Sequence, residues 1–87
     1  MTTTEVRVSN PTGLHARPAA SLVSLAKSFV STITIKYGDK SANAKSILAV
    51  LALGASQGAT LTISTDGVDE QVALDQILDA FSNNLGE

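Results

Sequence analysis

The amino-acid sequence predicts an α+β domain: an open-faced two-layer sandwich in which three helices cover one face of a four-stranded, largely antiparallel sheet. Four segments alternate apolar and polar residues, which is typical of strands that bury one face. Three other segments carry apolar residues at helical spacing, and the seven segments follow one another in the order βαββαβα. A chain of 87 residues has the size of one small domain, so we expect residues 1–87 to fold as a single unit.

Three strands and one helix are predicted in the first half of the chain. Alternating valines predict a strand over residues 2–9, and apolar residues at helical spacing predict a helix over about residues 16–28. Residues 31–37 alternate again, with isoleucines on one face and threonines on the other. Gly38-Asp39 then turns the chain into a short strand near residues 40–44, which we expect to lie at an edge of the sheet.

A short helix, a strand and a final helix are predicted in the second half. The short helix covers about residues 46–53, with Gly54 in the usual stop position. Alternation over residues 60–64 predicts the fourth strand. Asp66 and Asp69 mark the start of the last helix, where acidic residues favour the helix dipole. The buried stripe of this helix is predicted to contain Leu74, Ile77, Leu78 and Phe81.

The composition argues against several classes of protein. The chain has no cysteine and one histidine, so we expect no disulfide, no metal site and no cofactor. An acidic net charge of −2 and only three aromatic residues argue against a nucleic-acid partner. No apolar run is long enough to span a bilayer and no signal region follows Met1, so we expect a cytoplasmic protein without membrane insertion.

Charge is distributed unevenly along the chain. Residues 1–45 contain all six cations and two anions, a net charge of +4, whereas residues 46–87 contain six anions and no cation. The basic half carries the single histidine, so we expect that side of the protein to attract an acidic protein or a phosphorylated donor.

The stretch Gly13-Leu14-His15-Ala16-Arg17-Pro18 places the histidine where a loop becomes a helix. Pro18 suits a first helical turn, and the unpaired N–H groups and positive dipole end found there favour an anion. A neutral imidazole nitrogen can take a phosphoryl group near neutral pH, and the guanidinium fork of Arg17 can bind the phosphoryl oxygens. We therefore predict that His15 is a phosphoryl acceptor and Arg17 a phosphate clamp. A capping or surface histidine is the alternative.

The second predicted helix carries apolar residues on two sides. At about 100° per residue, Val50 and Leu53 fall on the same side as Ser46. A short helix on a sheet buries one stripe, so we expect this pair to be buried and the other side to form an apolar patch for partner docking. Burial of that side by loops, or of the helix all round, is the alternative. Ser46 is predicted to be the helix N-cap. The patch is predicted to contain Ile47, Leu48 and Leu51.

Two motifs together resemble the HPr family, the histidine-containing phosphocarriers of the bacterial phosphoenolpyruvate-dependent sugar phosphotransferase system. They are Gly13-Leu14-His15-Ala16-Arg17-Pro18-Ala19 and Lys45-Ser46-Ile47-Leu48, which continues to Leu53-Gly54, and the similarity extends to the length and element order of the whole chain. The resemblance implies that His15 takes a phosphoryl group on Nδ1 from enzyme I, assisted by Arg17, and passes it to the IIA domains of sugar transporters. Such a carrier is not a turnover enzyme by itself, and we expect a monomer.

The resemblance also implies a regulatory role for Ser46. In HPr proteins of Gram-positive type, an HPr kinase/phosphorylase modifies the matching serine, and the product serves as corepressor for a catabolite control protein. Members that lack this kinase can keep the serine. Leu48 and Leu51 stand where many regulated members have the more flexible methionine, which bears on how tightly partners dock.

Two other functions remain compatible with the sequence. A paralogous phosphocarrier of a nitrogen-related or single-substrate phosphotransfer chain would use the same chemistry with different partners. A binding module of another class would use the apolar patch, with His15 as a mere cap. Incubation with enzyme I and phosphoenolpyruvate separates a carrier from such a module, because only the carrier becomes phosphorylated.

Overall fold

The structure of the protein, a computed structural model that describes residues 1–86, has the predicted element order βαββαβα. The strands are β1 (Thr2–Arg7), β2 (Thr32–Tyr37), β3 (Lys40–Asn43) and β4 (Thr60–Asp66). The helices are α1 (Ala16–Ala26), α2 (Ile47–Ala52) and α3 (Glu70–Ser82), and a short 3-10 turn follows at Asn84–Gly86.

The four strands form one sheet in the order β1-β4-β2-β3, and every neighbouring pair is antiparallel. In the two central strands Ile63 lies opposite Ile35, and on the other side Ile63 lies opposite Thr4 of β1. Side chains of the same face therefore line up across the sheet. The predicted edge position of β3 is confirmed, and β1 forms the other edge.

One face of the sheet is buried under the helices and the other is open, as predicted. On the open face the side chains of Thr32 and Thr60 are exposed, and those of Thr34 and Thr62 are half-buried. Because no helix covers this face, its polar residues need no internal partner. Fully buried residues of the opposite face and of the helices above it include Ile33, Ile35, Leu61 and Ile63 of the sheet, Leu22 of α1 and Ile77 of α3.

Several element boundaries differ from the prediction. β1 ends at Arg7 rather than at residue 9. α1 ends at Ala26 rather than near residue 28, because the N–H and the hydroxyl of Ser28 both donate to the Leu25 carbonyl and tighten the last turn. Asp66 belongs to β4, where its backbone is part of the ladder with β2. α3 therefore begins after Asp69, its N-cap residue, and not at Asp66.

Asp69 ties the start of α3 to the loop between α1 and β2. Its carboxylate accepts hydrogen bonds from the N–H groups of Val30 and Ser31, each at 3.0 Å, and from the Ser31 hydroxyl. The Ser31 hydroxyl is the main cause that lowers the pKa of Asp69, and the Val30 N–H is the next. We call these three hydrogen bonds the Asp69 clamp. A glycine is needed beside it, because a β-carbon on Gly67 would lie 2.6 Å from Ser31 Oγ.

The Asp69 clamp makes the free energy of unfolding depend on pH. A carboxyl whose pKa is lower in the folded protein stabilises it above the unfolded pKa, about 3.9, and this contribution is lost as pH falls through the folded pKa. We expect Asp69→Asn to lower the urea midpoint at neutral pH, and to lower it less as the pH falls below about 4.

Urea titrations of wild type and variant at neutral pH and at about pH 3 measure this difference. Asp75→Asn, at an exposed position of α3, is the matched control. A difference in midpoint of the same size at both pH values would contradict the ionic origin of the clamp.

Candidate functional site

His15 is the N-cap residue of α1, and its side chain is exposed. Its backbone is extended, with φ −89° and ψ −168°, and its carbonyl accepts the N–H of Ala19 at 2.9 Å. The imidazole makes no capping hydrogen bond to the helix. The predicted position at the loop-to-helix junction is confirmed, and the role of His15 as a phosphoryl acceptor rather than a capping or surface histidine stays a prediction.

Gly13 holds the loop before His15 against the loop that follows α2. Its φ of +65° lies in the left-handed region that favours glycine, and a β-carbon there would lie 2.6 Å from the carbonyl oxygen of Ala55. The N–H of Leu14 donates to that same oxygen at 2.9 Å. From inside the loop, the buried amide of Asn10 donates to the Gly13 carbonyl at 2.5 Å. The residues next to His15 are therefore fixed by backbone contacts on both sides.

A recess of about 410 Å³ opens beside His15. Four parts of the chain form its wall: the loop before α1, the start of α1, the end of α2 and the loop after it. The recess therefore joins the predicted acceptor to Leu51, one residue of the predicted docking patch. The residues that line it are Thr12, Leu14, His15, Ala16, Leu51, Gly54, Ala55 and Ser56.

Arg17 is the second residue of α1 and its side chain is exposed. Within residues 1–86, no acidic side chain forms an ion pair with its guanidinium. Arg17 does not line the recess, but it lies in the same first turn that begins at His15. The structure therefore places a cation next to the histidine, with its donors available to an oxyanion.

α2 buries one side and exposes the other. Val50 is fully buried and Leu53 is 2% exposed, whereas Leu48 is 77% exposed and Ile47 37%. Leu51 is half-buried and lines the recess beside the histidine. The predicted orientation of this helix is confirmed for the pair nearest Ser46, which faces the core, and for Ile47 and Leu48, which are exposed; Leu51 is partly covered by the two loops that form the recess. The docking role of the exposed side stays a prediction.

Ser46 caps the start of α2, as predicted. Its hydroxyl oxygen accepts the N–H of Ala49 at 3.3 Å, and its own N–H donates to the Asn43 carbonyl at 3.0 Å. The side chain of Lys45 does not turn towards this serine: its ammonium donates to the carbonyl of Phe29, after the end of α1, at 2.7 Å. The cation adjacent to Ser46 in sequence is therefore already engaged.

A second recess, of about 360 Å³, lies between α1 and α2. Val23 belongs to the apolar stripe of α1, whereas the other α1 residues that line this recess do not. In the sequence these residues show only a spacing of i, i+4 and i+7 among small or polar residues, which is equally typical of a solvent-exposed helix face. Thr12 and Ser56 at the first recess carry no motif at all. The residues that line the second recess are Ala20, Val23, Ser24, Lys27 and Ile47.

The uneven charge of the sequence separates in space as well. α1 and its C-cap carry Arg17 and Lys27, and Lys27 lines the second recess. α3 and its N-cap carry only acidic charges, on Asp69, Glu70, Asp75 and Asp79. α1 therefore carries one cation, Arg17, in the turn that begins at His15 and another, Lys27, at its opposite end, and this charge favours a phosphorylated or acidic partner.

Residues 1–86 contain no group of three or more histidine, aspartate or glutamate side chains placed to hold a metal ion. No helix in the same range is both long enough and apolar enough to cross a membrane.

Known proteins share both the sequence and the fold. A family model described as the PTS HPr component phosphorylation site matches residues 2–83. The phosphocarrier protein HPr of Cupriavidus necator is 42% identical over 83 residues, which cover 95% of this chain and 93% of that protein. These matches span both motifs found in the sequence.

Solved structures match over nearly the full length. The crystal structure of HPr-C-His from Thermoanaerobacter tengcongensis has a TM-score of 0.96 and 40% identity, and the match covers 100% of this chain and 98% of that one. A crystal structure described as an HPr dimer from the same organism has a TM-score of 0.80 at 40% identity, with full coverage of both chains. The chain therefore belongs to the HPr family, the phosphocarrier proteins of the phosphotransferase system.

Proposed function

We propose that His15 receives a phosphoryl group from phospho-enzyme I and donates it to the IIA domains of sugar transporters. Family membership establishes the phosphocarrier function. The observation that supports His15 as the carrier is that the single histidine is exposed at the start of α1, beside a recess and a free guanidinium. A second protein must remove the phosphoryl group from His15 before another can be accepted, so the protein acts as a carrier and not as a turnover enzyme.

Transfer to His15 requires one bond to form and one to break. The lone pair on Nδ1 attacks phosphorus while the bond between phosphorus and the donor breaks, and its electron pair leaves with the donor. Nε2 keeps its proton throughout. When a IIA domain attacks in turn, the N–P bond breaks and its electron pair returns to Nδ1. The N–H groups at the start of α1 lie where they stabilise the negative phosphoryl oxygens in both steps.

Arg17 acts as the phosphate clamp in this proposal. Its guanidinium lies in the first turn with no acidic partner among the described residues, so binding an oxyanion breaks no existing ion pair. A planar fork of N–H donors can bind two phosphoryl oxygens at once, which an ammonium cannot do. The clamp therefore orients the group as well as neutralising its charge.

Ile47, Leu48 and Leu51 form the docking patch for enzyme I and the IIA domains. Donor and acceptor must both reach His15, so they have to use overlapping surfaces around it. Leu51 lines the recess beside His15, and Leu48 is the most exposed apolar residue of α2. An exposed apolar patch that adjoins the reacting group in this way is suited to partner contact.

Ser46 is the proposed regulatory site, with an HPr kinase/phosphorylase and a catabolite control protein as partners. A phosphate there carries about −1.5 to −2 charges at neutral pH and lies at the start of α2 next to the docking patch. Lys45 is engaged with Phe29, so the new charge is left for a partner to recognise. Enzyme I would have to desolvate it, whereas a partner with a basic site beside an apolar groove gains affinity.

We further propose that the protein works in the cytoplasm, as a monomer, without cofactor or nucleic acid. The HPr dimer described for Thermoanaerobacter tengcongensis shows that a chain of this fold can also crystallise as a dimer. A paralogous carrier for a nitrogen-related or single-substrate chain would use the same His15 chemistry. Phosphoryl transfer from enzyme I of the sugar system, compared with its paralogue, distinguishes the two.

The proposal for His15 is tested by replacement. We expect His15→Ala to abolish labelling by enzyme I and phosphoenolpyruvate and to leave the urea midpoint near that of wild type, because the side chain is exposed. The label on wild type should be acid-labile, as a phosphoramidate is. Full labelling of the alanine variant would show that another residue is the acceptor.

Substitutions on the two sides of α2 should affect partner binding and stability differently. We expect Leu48→Ala to weaken enzyme I binding by calorimetry and to cost less than about 0.5 kcal/mol of unfolding free energy. Val50→Ala, its buried counterpart, should cost about 1–3 kcal/mol in urea titrations with little effect on binding. A larger loss of stability for Leu48→Ala would mean that the two faces of the helix have been assigned the wrong way round.

Phosphorylation of Ser46 should act locally. We expect kinase-treated protein and Ser46→Asp to be labelled at His15 by enzyme I more slowly than Ser46→Ala, with amide NMR shifts confined to α2 and its surroundings. The phosphate sits at a helix start, where the dipole tolerates it. An unchanged labelling rate would refute the regulatory role, and shifts across the whole domain would refute a local electrostatic effect.

A further inference from the structure

Ser56 faces the same recess as His15, from the loop that follows α2. We propose that its hydroxyl donates a hydrogen bond to the phosphoryl group carried by His15, which makes Ser56 a phosphoryl-binding residue. This inference rests on His15 being the phosphoryl acceptor and adds a donor to that site from a distant part of the chain.

The backbone fixes how near Ser56 lies to the acceptor loop. A β-carbon on Gly13 would come 2.8 Å from Ser56 Cα, so the two backbones are in direct contact. Next to this contact, the N–H of Leu14, which follows Gly13, donates to the carbonyl of Ala55, which precedes Ser56, at 2.9 Å. His15 follows Leu14 directly. Ser56 and His15 therefore lie on two loops whose backbones are in contact, and both residues line the recess between them.

The Ser56 hydroxyl is available for a ligand. Its backbone carbonyl accepts the N–H of Ala59 at 3.0 Å, which fixes the turn, but within residues 1–86 its side chain makes no hydrogen bond. The side chain is exposed, so in the unphosphorylated protein its hydroxyl can donate to solvent water. Exchange of that water for a charged oxygen leaves no protein group unsatisfied.

Few other polar side chains line the recess. Apart from His15, Ser56 and Thr12, the side chains that line it are apolar or absent. Arg17 lies in the first turn of α1 and does not line the recess, so the recess wall itself supplies no guanidinium to the phosphoryl group. A phosphoryl group on His15 has three terminal oxygens. A donor on the loop after α2 binds an oxygen that the groups at the start of α1 do not bind and that would otherwise face solvent.

The test separates phosphoryl binding from partner docking by using the isolated phosphoprotein. Wild type, Ser56→Ala and Ser56→Thr are phosphorylated with enzyme I and phosphoenolpyruvate, freed of enzyme I, and followed by ³¹P NMR at neutral pH. Because this bond is made to the carried phosphoryl group and is lost as that group leaves, the energy of a hydrogen bond to a charged group predicts that Ser56→Ala loses its phosphoryl group about ten times faster than wild type. The phosphorus resonance should also shift, and Ser56→Thr, which keeps the hydroxyl, should behave like wild type.

Ser82→Ala is the matched control, because that hydroxyl donates to the Asp79 carbonyl at the end of α3. It should match wild type in both measurements. Equal hydrolysis rates for wild type and Ser56→Ala would overturn the proposal, even if labelling by enzyme I were slower, since slower labelling alone indicates a docking effect. Faster hydrolysis in both Ser56→Ala and Ser56→Thr would also overturn it. Absence of label on wild-type His15 would instead refute the assignment of the acceptor.

Discussion

The arrangement around His15 depends on the close approach of two loops, one before α1 and one after α2. Their backbones touch at Gly13 and Ala55, and the Leu14 N–H closes the contact with a hydrogen bond. No side chain other than hydrogen fits at position 13 without moving a backbone carbonyl. Because the partners are far apart in sequence, the recess exists only once β4 and the helices have assembled. The motif of the proposed acceptor, His15, is therefore local in sequence, whereas the recess beside it depends on contacts between distant segments.

The sequence was sufficient for features that depend on periodicity or on a single short stretch. Alternation and helical spacing predicted the four strands, three helices and their order, and the angular positions of Val50 and Leu48 predicted which side of α2 is buried. The histidine position followed from turn residues and Pro18. Each of these signals lies within one turn or one strand, where spacing alone determines the neighbours.

Other features could not be predicted, because they are contacts between distant segments. Nothing in the residues around Ser56 indicates that this serine borders the histidine recess, and nothing near Lys45 indicates that its ammonium reaches the carbonyl of Phe29. The end of α1 was also misplaced, since the hydroxyl of Ser28 closes the last turn by a bond that helical periodicity does not encode. The sequence thus indicates the proposed acceptor, His15, but not the distant residues that surround it.

The two sites of proposed phosphorylation use helix starts in different ways. At α1 the backbone of His15 is the cap and its side chain is left outside the helix, in position to exchange a group with a partner. At α2 the Ser46 side chain itself bonds to the helix N–H of Ala49, so a group attached there stays close to the helix. One geometry is suited to passing a phosphoryl group on, and the other to retaining it.

The brevity of α2 has a dynamic consequence. This helix has six residues, of which only Val50 is buried, and an isolated helix of that length is not stable in water. Its amide hydrogens should therefore exchange through local opening at a free-energy cost well below that of global unfolding. A partner that binds the exposed side of α2 must first restrict this motion, and that entropic cost weakens the complex. Short-lived complexes are what a shuttle requires, since it must leave each donor before it can meet the next acceptor.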